Sequence, residues 1–341
     1  MNALEIELLQ LADRASGGRM AVVMNHLQIF LAAALLALSC ASLHARKHVV
    51  AYVPNWIDLE KFAKTIDYQK VTRLNIAFEN PLNDTGELSF NPANRELIRL
   101  ARAAKVEVLV SIGGGSASED KVLRARYFAL LADDKRGAFV KKLFDYVVKH
   151  QLDGIDVDIE GPSINEDYGD FIADLAVALK PKGKLVTAAL SQGYGGDQVS
   201  DAALQHLDFL NIMAYDGTGP WAPEHPGQHS SLGFAKSAVK YWTSHGLPKE
   251  KAVVGVPFYG YGFGKAFRKA GYPYPDILKL HPDADQHDQV GETIWHNSLP
   301  TIRAKASYVL DEDLGGIMIW SLDQDVEGDK SLLHAIHETL N

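Results

Sequence analysis

Cysteine is almost absent from this chain: Cys40 is the only one, so no internal disulfide can form and the fold must hold through a core of its own. Basic excess is also missing. Lys and Arg number 34 against 43 Asp and Glu, a net charge of -9, and no basic stripe offsets repulsion from phosphates, which argues against a nucleic-acid partner. No run of like charge, low-complexity tract or internal repeat interrupts the chain. There is no apolar run long enough for a transmembrane span, because the longest, Ile29 to Leu38, is too short to cross a bilayer. What is present is apolar content of 47% over 341 residues, ample for one large core, and a neutral polymer suits the charge balance better than a polyanion.

The apolar run at Ile29 to Leu38 is followed by small residues, Ser39, Cys40, Ala41 and Ser42, as in a signal peptide. Glu5 and Glu7 suit no signal, so translation is expected to begin at Met20 or Met24, with cleavage after Ala41 or Ala45. The Ala37-Leu38-Ser39-Cys40 stretch resembles a bacterial lipobox, which offers a lipid anchor through Cys40 as an alternative to release of the cysteine with the signal. Residues 1–46 are therefore read as extension and signal peptide, residues 47–341 as the working domain, exported and monomeric.

From residue 47 onward, β-rich runs alternate with amphipathic helical stretches. Strands are expected at Val49 to Val53, Arg73 to Phe78, Glu107 to Ile112, Gly154 to Ile159, Leu185 to Leu190, Phe209 to Met213, Ala252 to Val256 and Gly316 to Trp320. Between them, Phe139, Val140, Leu143, Phe144 and Val147 mark one helical face, for which Asp134 is a candidate cap. Tyr168, Phe171, Ile172, Leu175 and Leu179 mark another, stopped by Pro181. Alternation on this scale predicts an α/β fold, a single (β/α)8 TIM barrel. The competing open sheet of the Rossmann type would want G-x-G-x-x-G after its first strand, where Val53-Pro54-Asn55-Trp56 stands instead.

One stretch dominates. Asp156, Asp158 and Glu160 stand at two-residue spacing, separated by Ile155, Val157 and Ile159, so on a strand the acids share one face and the aliphatic residues the other. Like charges about 6 to 7 Å apart resist joint ionisation, a cost that a solvated edge strand would avoid. Barrel chemistry gathers at the C-terminal strand ends, and these carry Tyr52, Trp56, Phe78, Glu79, Ser111, Gly113, Gly114, Gln192, Tyr194, Met213, Tyr215, Asp216, Tyr259, Tyr261 and Trp320 beside the acids. Aromatic faces stack on sugar rings while acids and amides bind hydroxyls, so the ring reads as a carbohydrate cleft.

Glycoside cleavage needs a proton donor for the leaving oxygen and something to stabilise the anomeric cation. Acids stacked on one strand cannot easily flank the bond from both sides, a difficulty removed by a substrate carrying its own nucleophile, such as a 2-acetamido group. Glu160, outermost, is the expected general acid, its pKa raised by the two carboxylates below. Asp158 would hold the acetamido N–H, and Asp156 would set the charge state of Asp158, by proton sharing if the two oxygens meet.

The pattern Asp153-x-x-Asp156-x-Asp158-x-Glu160 resembles the signature of glycoside hydrolase family 18, the chitinases and their relatives. Ser111-Ile112-Gly113-Gly114 is similar to its S-x-G-G motif, Met213-Ala214-Tyr215-Asp216 to its M-x-Y-D, and Trp320 to the tryptophan ending the eighth strand. The resemblance implies retaining, substrate-assisted hydrolysis of a polymer or oligosaccharide containing N-acetylglucosamine, without cofactor or metal. It implies Glu160, Asp158, Asp156 and Tyr215 as catalytic residues, Tyr215 bonding the acetamido carbonyl. Tyr52, Phe78, Ser111, Gly113, Gly114, Met213, Asp216, Tyr259 and Trp320 would bind substrate, with Trp320 as floor and Ser111 and Asp156 supporting Asp158.

Other readings are weaker. Gly113 to Gly115 is followed by no Lys-Ser/Thr pair, which speaks against a phosphate cradle. Gly161 directly follows Glu160 and no bidentate Glu closes a calcium loop, while Pro226 and Gly227 break any helix that would present His225 and His229 to zinc. Two functional alternatives stay open: an endo-β-N-acetylglucosaminidase acting on N-glycans or peptidoglycan, and a chitinase-like lectin that binds without cutting. Larger family members insert an α+β domain between the seventh and eighth strands. The segment from Gly264 to Asn297 is too short for that full domain, which implies a shallower cleft and endo-type cutting of β-1,4-linked N-acetylglucosamine chains.

Overall fold

Alternation of aliphatic side chains along the first strand already shows how the core divides. Val49, Ala51 and Val53 pack outward, Val50 and Tyr52 inward, and the same two-residue period recurs around a closed barrel. A computed structural model describes residues 46–341, of which Lys47–Asn341 form a compact unit; the expected signal peptide, start codon and Cys40 anchor lie outside the described residues. The barrel strands are β1 (His48–Pro54), β2 (Arg73–Ala77), β3 (Glu107–Gly113), β4 (Gly154–Asp158), β5 (Leu185–Leu190), β6 (Phe209–Ile212) and β7 (Ala252–Pro257). The small strands β8 (Tyr259–Gly262), β9 (Tyr272–Pro273), β10 (Gln289–Val290) and β11 (Ile294–Trp295) come next, before β12 (Gly316–Trp320) closes the barrel. Neighbours run β1-β12-β7-β6-β5-β4-β3-β2, every pair parallel, so the fold is the expected (β/α)8 barrel.

Helices α1 (Leu59–Phe62), α2 (Asn94–Ala103), α3 (Gly115–Glu119), α4 (Lys121–Leu131), α5 (Asp133–Lys149), α6 (Tyr168–Leu179), α7 (Asp201–His206), α8 (Leu232–Ser244), α9 (Tyr274–Leu280), α10 (Leu299–Asp311) and α11 (Leu332–Leu340) complete the chain. Phe139, Leu143 and Val147 of α5, with Phe171, Ile172 and Leu175 of α6, bury the predicted faces against outward aliphatic residues such as Ile155 and Val157. Each such side chain contributes roughly 1.5–3 kcal/mol on burial. Asp134 is no cap: α5 begins one residue earlier, after an uncapped Ala132, and Asp134 sits in the first turn, where its charge faces the positive end of the helix. None of the described helices is long and apolar enough to cross a membrane.

The segment between β7 and β12 holds more structure than its length suggested. Strands β10-β11-β8-β9 form an antiparallel sheet that, with α9, closes over a small core of Tyr272, Ile277, Ala284, Val290 and Ile294. It is a reduced insertion, too small to be a full domain.

Candidate active site

Strand β4 carries the acids inward, as its alternation requires. Ile155, Val157 and Ile159 are fully buried among outward aliphatic neighbours, while Asp156 and Asp158 are buried on the barrel side and Glu160 keeps part of its surface at the rim. Register places Ser111, Asp156 and Thr187 side by side across β3, β4 and β5. Asp156 consequently accepts four hydrogen bonds. Tyr52 Oη (2.6 Å) and Ser111 Oγ (2.7 Å) donate to Oδ2, and Thr187 Oγ1 (2.6 Å) and Asn211 Nδ2 (3.1 Å) donate to Oδ1. Burial pushes the Asp156 pKa up, and these four donors pull it back.

Asp158, one layer higher, is different. It is also buried, yet its Oδ1 has no hydrogen-bond partner. Burial first, then the charges of Glu160 and Asp156, hold its carboxyl far above the usual carboxylate range. Glu160 is raised to about 7, first by burial and then by Asp216 and Glu119. To the expected repulsion between Glu160 and the carboxylate beneath it, the structure adds burial and the charges of Asp216, after β6, and Glu119. Proton sharing between Asp156 and Asp158 is corrected, since all four acceptor positions on Asp156 are taken by other donors.

Two predicted substrate contacts turn out to be supports. The Tyr52 hydroxyl, on a side chain 1% exposed, points down to Asp156, and Ser111 likewise donates to Asp156 rather than Asp158. Gly113 and Gly114, at φ 105° and 70°, let the backbone pass closely: the Gly114 N–H donates to the Asp158 carbonyl (2.7 Å), and a side chain there would strike the Phe78 ring. Phe78 stands between Trp56 (6.3 Å between centroids, 23°) and Trp320 (5.7 Å, 26°), so three rings form a continuous stacked row leading to the acids. Trp56, 64% exposed, is the outer end of that row.

On the other side of the mouth, Met213 and Tyr215 follow β6 and are almost fully buried. The Tyr215 hydroxyl meets only the Met318 sulfur, at 3.9 Å, and remains free for a stronger acceptor. Asp216 adopts φ 60°, accepts from Tyr259 Oη (2.5 Å), and lies 3.3 Å from His229 Nδ1. Tyr259 therefore fixes Asp216 rather than opening its hydroxyl to the cleft. Trp221, 60% exposed, packs its edge against Tyr261 (5.6 Å). Trp295 of β11 packs against Phe263. Asp153, off the acid face, accepts the Val108 N–H (2.8 Å) at the strand entry.

Thr187, Asn211 and His229 were not singled out for this role. Thr187 and Asn211 are lone polar residues in the apolar strands Leu185–Leu190 and Phe209–Ile212, and that contrast was the available signal. His229, in the Gly227–Ser230 stretch that resembles the loop after M-x-Y-D in many chitinases, is buried against Asp216; among the described residues no group of His, Cys, Asp and Glu could hold a metal ion.

The inward acids, the raised Glu160 carboxyl and the aromatic row form a barrel site of the glycoside hydrolase type. The family model for glycosyl hydrolases family 18 matches residues 48–325, and the chain belongs to that family. It resembles the crystal structure of a GH18 chitinase from the chitin utilization locus of Flavobacterium johnsoniae, at 35% identity and a TM-score of 0.79, covering 86% of this chain and 94% of that one. It is 29% identical to a chitinase-like effector of Moniliophthora roreri, over 73% of this chain and 70% of the relative. It is 26% identical to Probable chitinase 10 of Drosophila melanogaster, over 67% of this chain but only 12% of that much longer protein.

Proposed function

We propose that the protein cuts β-1,4-linked N-acetylglucosamine polymers, chitin above all, by retaining, substrate-assisted hydrolysis. The observation that carries this reading is the unpartnered Asp158 Oδ1 beside a fully satisfied Asp156. A buried acceptor left open costs about 1–3 kcal/mol, which a ligand N–H at that position would offset. Protonated Glu160 gives its proton to the glycosidic oxygen as the acetamido carbonyl oxygen attacks the anomeric carbon and the C–O bond breaks. Asp158 accepts the acetamido N–H and stabilises the positive oxazolinium ring; Tyr215 donates to the attacking oxygen. Glu160, now a carboxylate, takes a proton from the water that reopens the ring, which restores the configuration at carbon 1.

Support for the substrate comes from relatives that are described as chitinases, and from the aromatic row formed by Trp56, Phe78 and Trp320. The reduced insertion between β7 and β12 supports endo action, because a low wall leaves the cleft open along a chain. Residues 1–46, read as an export signal with an optional lipid anchor at Cys40, fit a polymer met outside the cell. The test is incubation with chitin oligomers, an N-glycoprotein and peptidoglycan, with product lengths read at early times. Internal cutting of chitin oligomers is expected. Release of disaccharide alone from chain ends would overturn endo action, and binding without any cleavage would favour the lectin.

A further inference from the structure

Lys305 is the anomaly of the structure. It lies on α10, 0% exposed, and no carboxylate approaches within ion-pair distance of its amine among the described residues. Taking an ammonium out of water costs several kcal/mol even after relaxation, so an unpaired buried lysine needs a reason. Its Nζ donates instead to two neutral acceptors, Ser230 Oγ (2.7 Å) and Asn297 Oδ1 (2.7 Å). Burial lowers its pKa to about 7, with Asp288 acting in the opposite direction.

Both acceptors lead to the active-site turn. Ser230 Oγ donates its own proton to the carbonyl of Ala214 (2.6 Å), the residue between Met213 and Tyr215. Asn297 Nδ2 donates to the Ser230 carbonyl (2.8 Å), so the lysine grips Ser230 directly and through Asn297. The adjoining His229 carbonyl accepts the Gly217 N–H (2.9 Å), and Gln228 is tied to the His296 carbonyl (2.6 Å). Segment 228–230 thus lies beneath Ala214–Gly217 as a brace, and Lys305 anchors the brace. The turn needs one, because Asp216 sits at φ 60°, a left-handed conformation that a non-glycine residue holds only when its surroundings fix it.

We infer that Lys305 is a positioning residue that, through Ser230 and Asn297, fixes the Ala214–Gly217 turn and hence the placement of Tyr215 and Asp216. This rests on the reaction proposed above for its kinetic consequence, but not for its structural one. Lys305→Met keeps the length and apolar stem and removes the donors. Melting should change little, since loss of the buried ammonium offsets the two acceptors, Ser230 Oγ and Asn297 Oδ1, left without its donors. Meanwhile kcat on a chitin hexamer should fall roughly 10- to 100-fold with little change in KM, because misplacement of about 1 Å is enough for that loss. Ser230→Ala should lower kcat in the same direction, and the double variant should be little worse than Lys305→Met alone, as expected of residues in one chain of contacts.

Hydrogen exchange at residues 213–217 gives a readout independent of activity: faster exchange in Lys305→Met with the barrel strands unchanged is expected. Unchanged exchange there, or a wild-type kcat in Lys305→Met whatever its melting temperature, would overturn the inference. If Lys305→Met fails to fold, Ser230→Ala decides both readouts. A wild-type protein with no hydrolysis would sink the proposed reaction instead, leaving the exchange experiment to judge Lys305.

Discussion

Asp156 and Asp158 are two residues apart on one strand, face the same interior and are both buried, yet one has every acceptor position filled and the other has an oxygen with none. The difference follows from their layers. At the level of Asp156 the adjacent strands supply Ser111 and Thr187, and strands further round the barrel supply Tyr52 and Asn211, so both carboxylate oxygens are filled. At the level of Asp158 the β3 neighbour in register is Gly113, with no side chain to donate. A barrel can thus hold a carboxylate for support and another for substrate on the same strand by changing only what its neighbours present.

The comparison can be broken in stages. The largest effect belongs to Glu160→Gln, which should lower hydrolysis roughly 10²- to 10⁴-fold while oligosaccharide binding, measured by calorimetry, persists. Asp156→Ala comes next. It strands four buried donors and should cost at least about 3 kcal/mol in urea denaturation, whereas Asp158→Ala removes an unsatisfied group and should leave stability level or higher. Equal losses in the two variants would dissolve the contrast.

The pH response is smaller and has a definite sign. Glu160 titrates near 7 in the folded protein against its ordinary 4.5, so the folded state binds more protons than the unfolded one between those values. Stability conferred by the neutral carboxyl is complete below about 4.5 and is lost as pH rises through about 7. Glu160→Gln should therefore gain on the wild type over that window, by on the order of 1–3 kcal/mol, visible in melting curves at pH 4 and pH 8. Smallest of all, Trp56→Ala should weaken binding of long oligomers by about 0.5–1.5 kcal/mol without touching melting.

Much of this was legible in the residues. The two-residue period of Ile155, Val157 and Ile159 against the acids settled both the strand and its facing, because a β-strand has no other way to sort such side chains. The eight strands of the barrel were readable as β-rich runs alternating with amphipathic helical stretches. What escaped was contact across the barrel. Nothing in the spacing of Tyr52 or Ser111 tells that their hydroxyls point to Asp156, because that depends on strand register, and register depends on loops. The spacing shows Glu160 its strand neighbours but not Asp216, a loop residue whose charge also raises its pKa. Lys305 gave no signal at all, since a lysine on an amphipathic helix reads as surface.

The central claim is that the substrate's own acetamido group completes a site in which Asp158 waits with an open acceptor. It is tested most directly by comparing hydrolysis of an N-acetylglucosamine oligomer with that of a de-N-acetylated oligomer of the same length. Cleavage confined to the acetylated chain is the predicted result; comparable cleavage of both would contradict it.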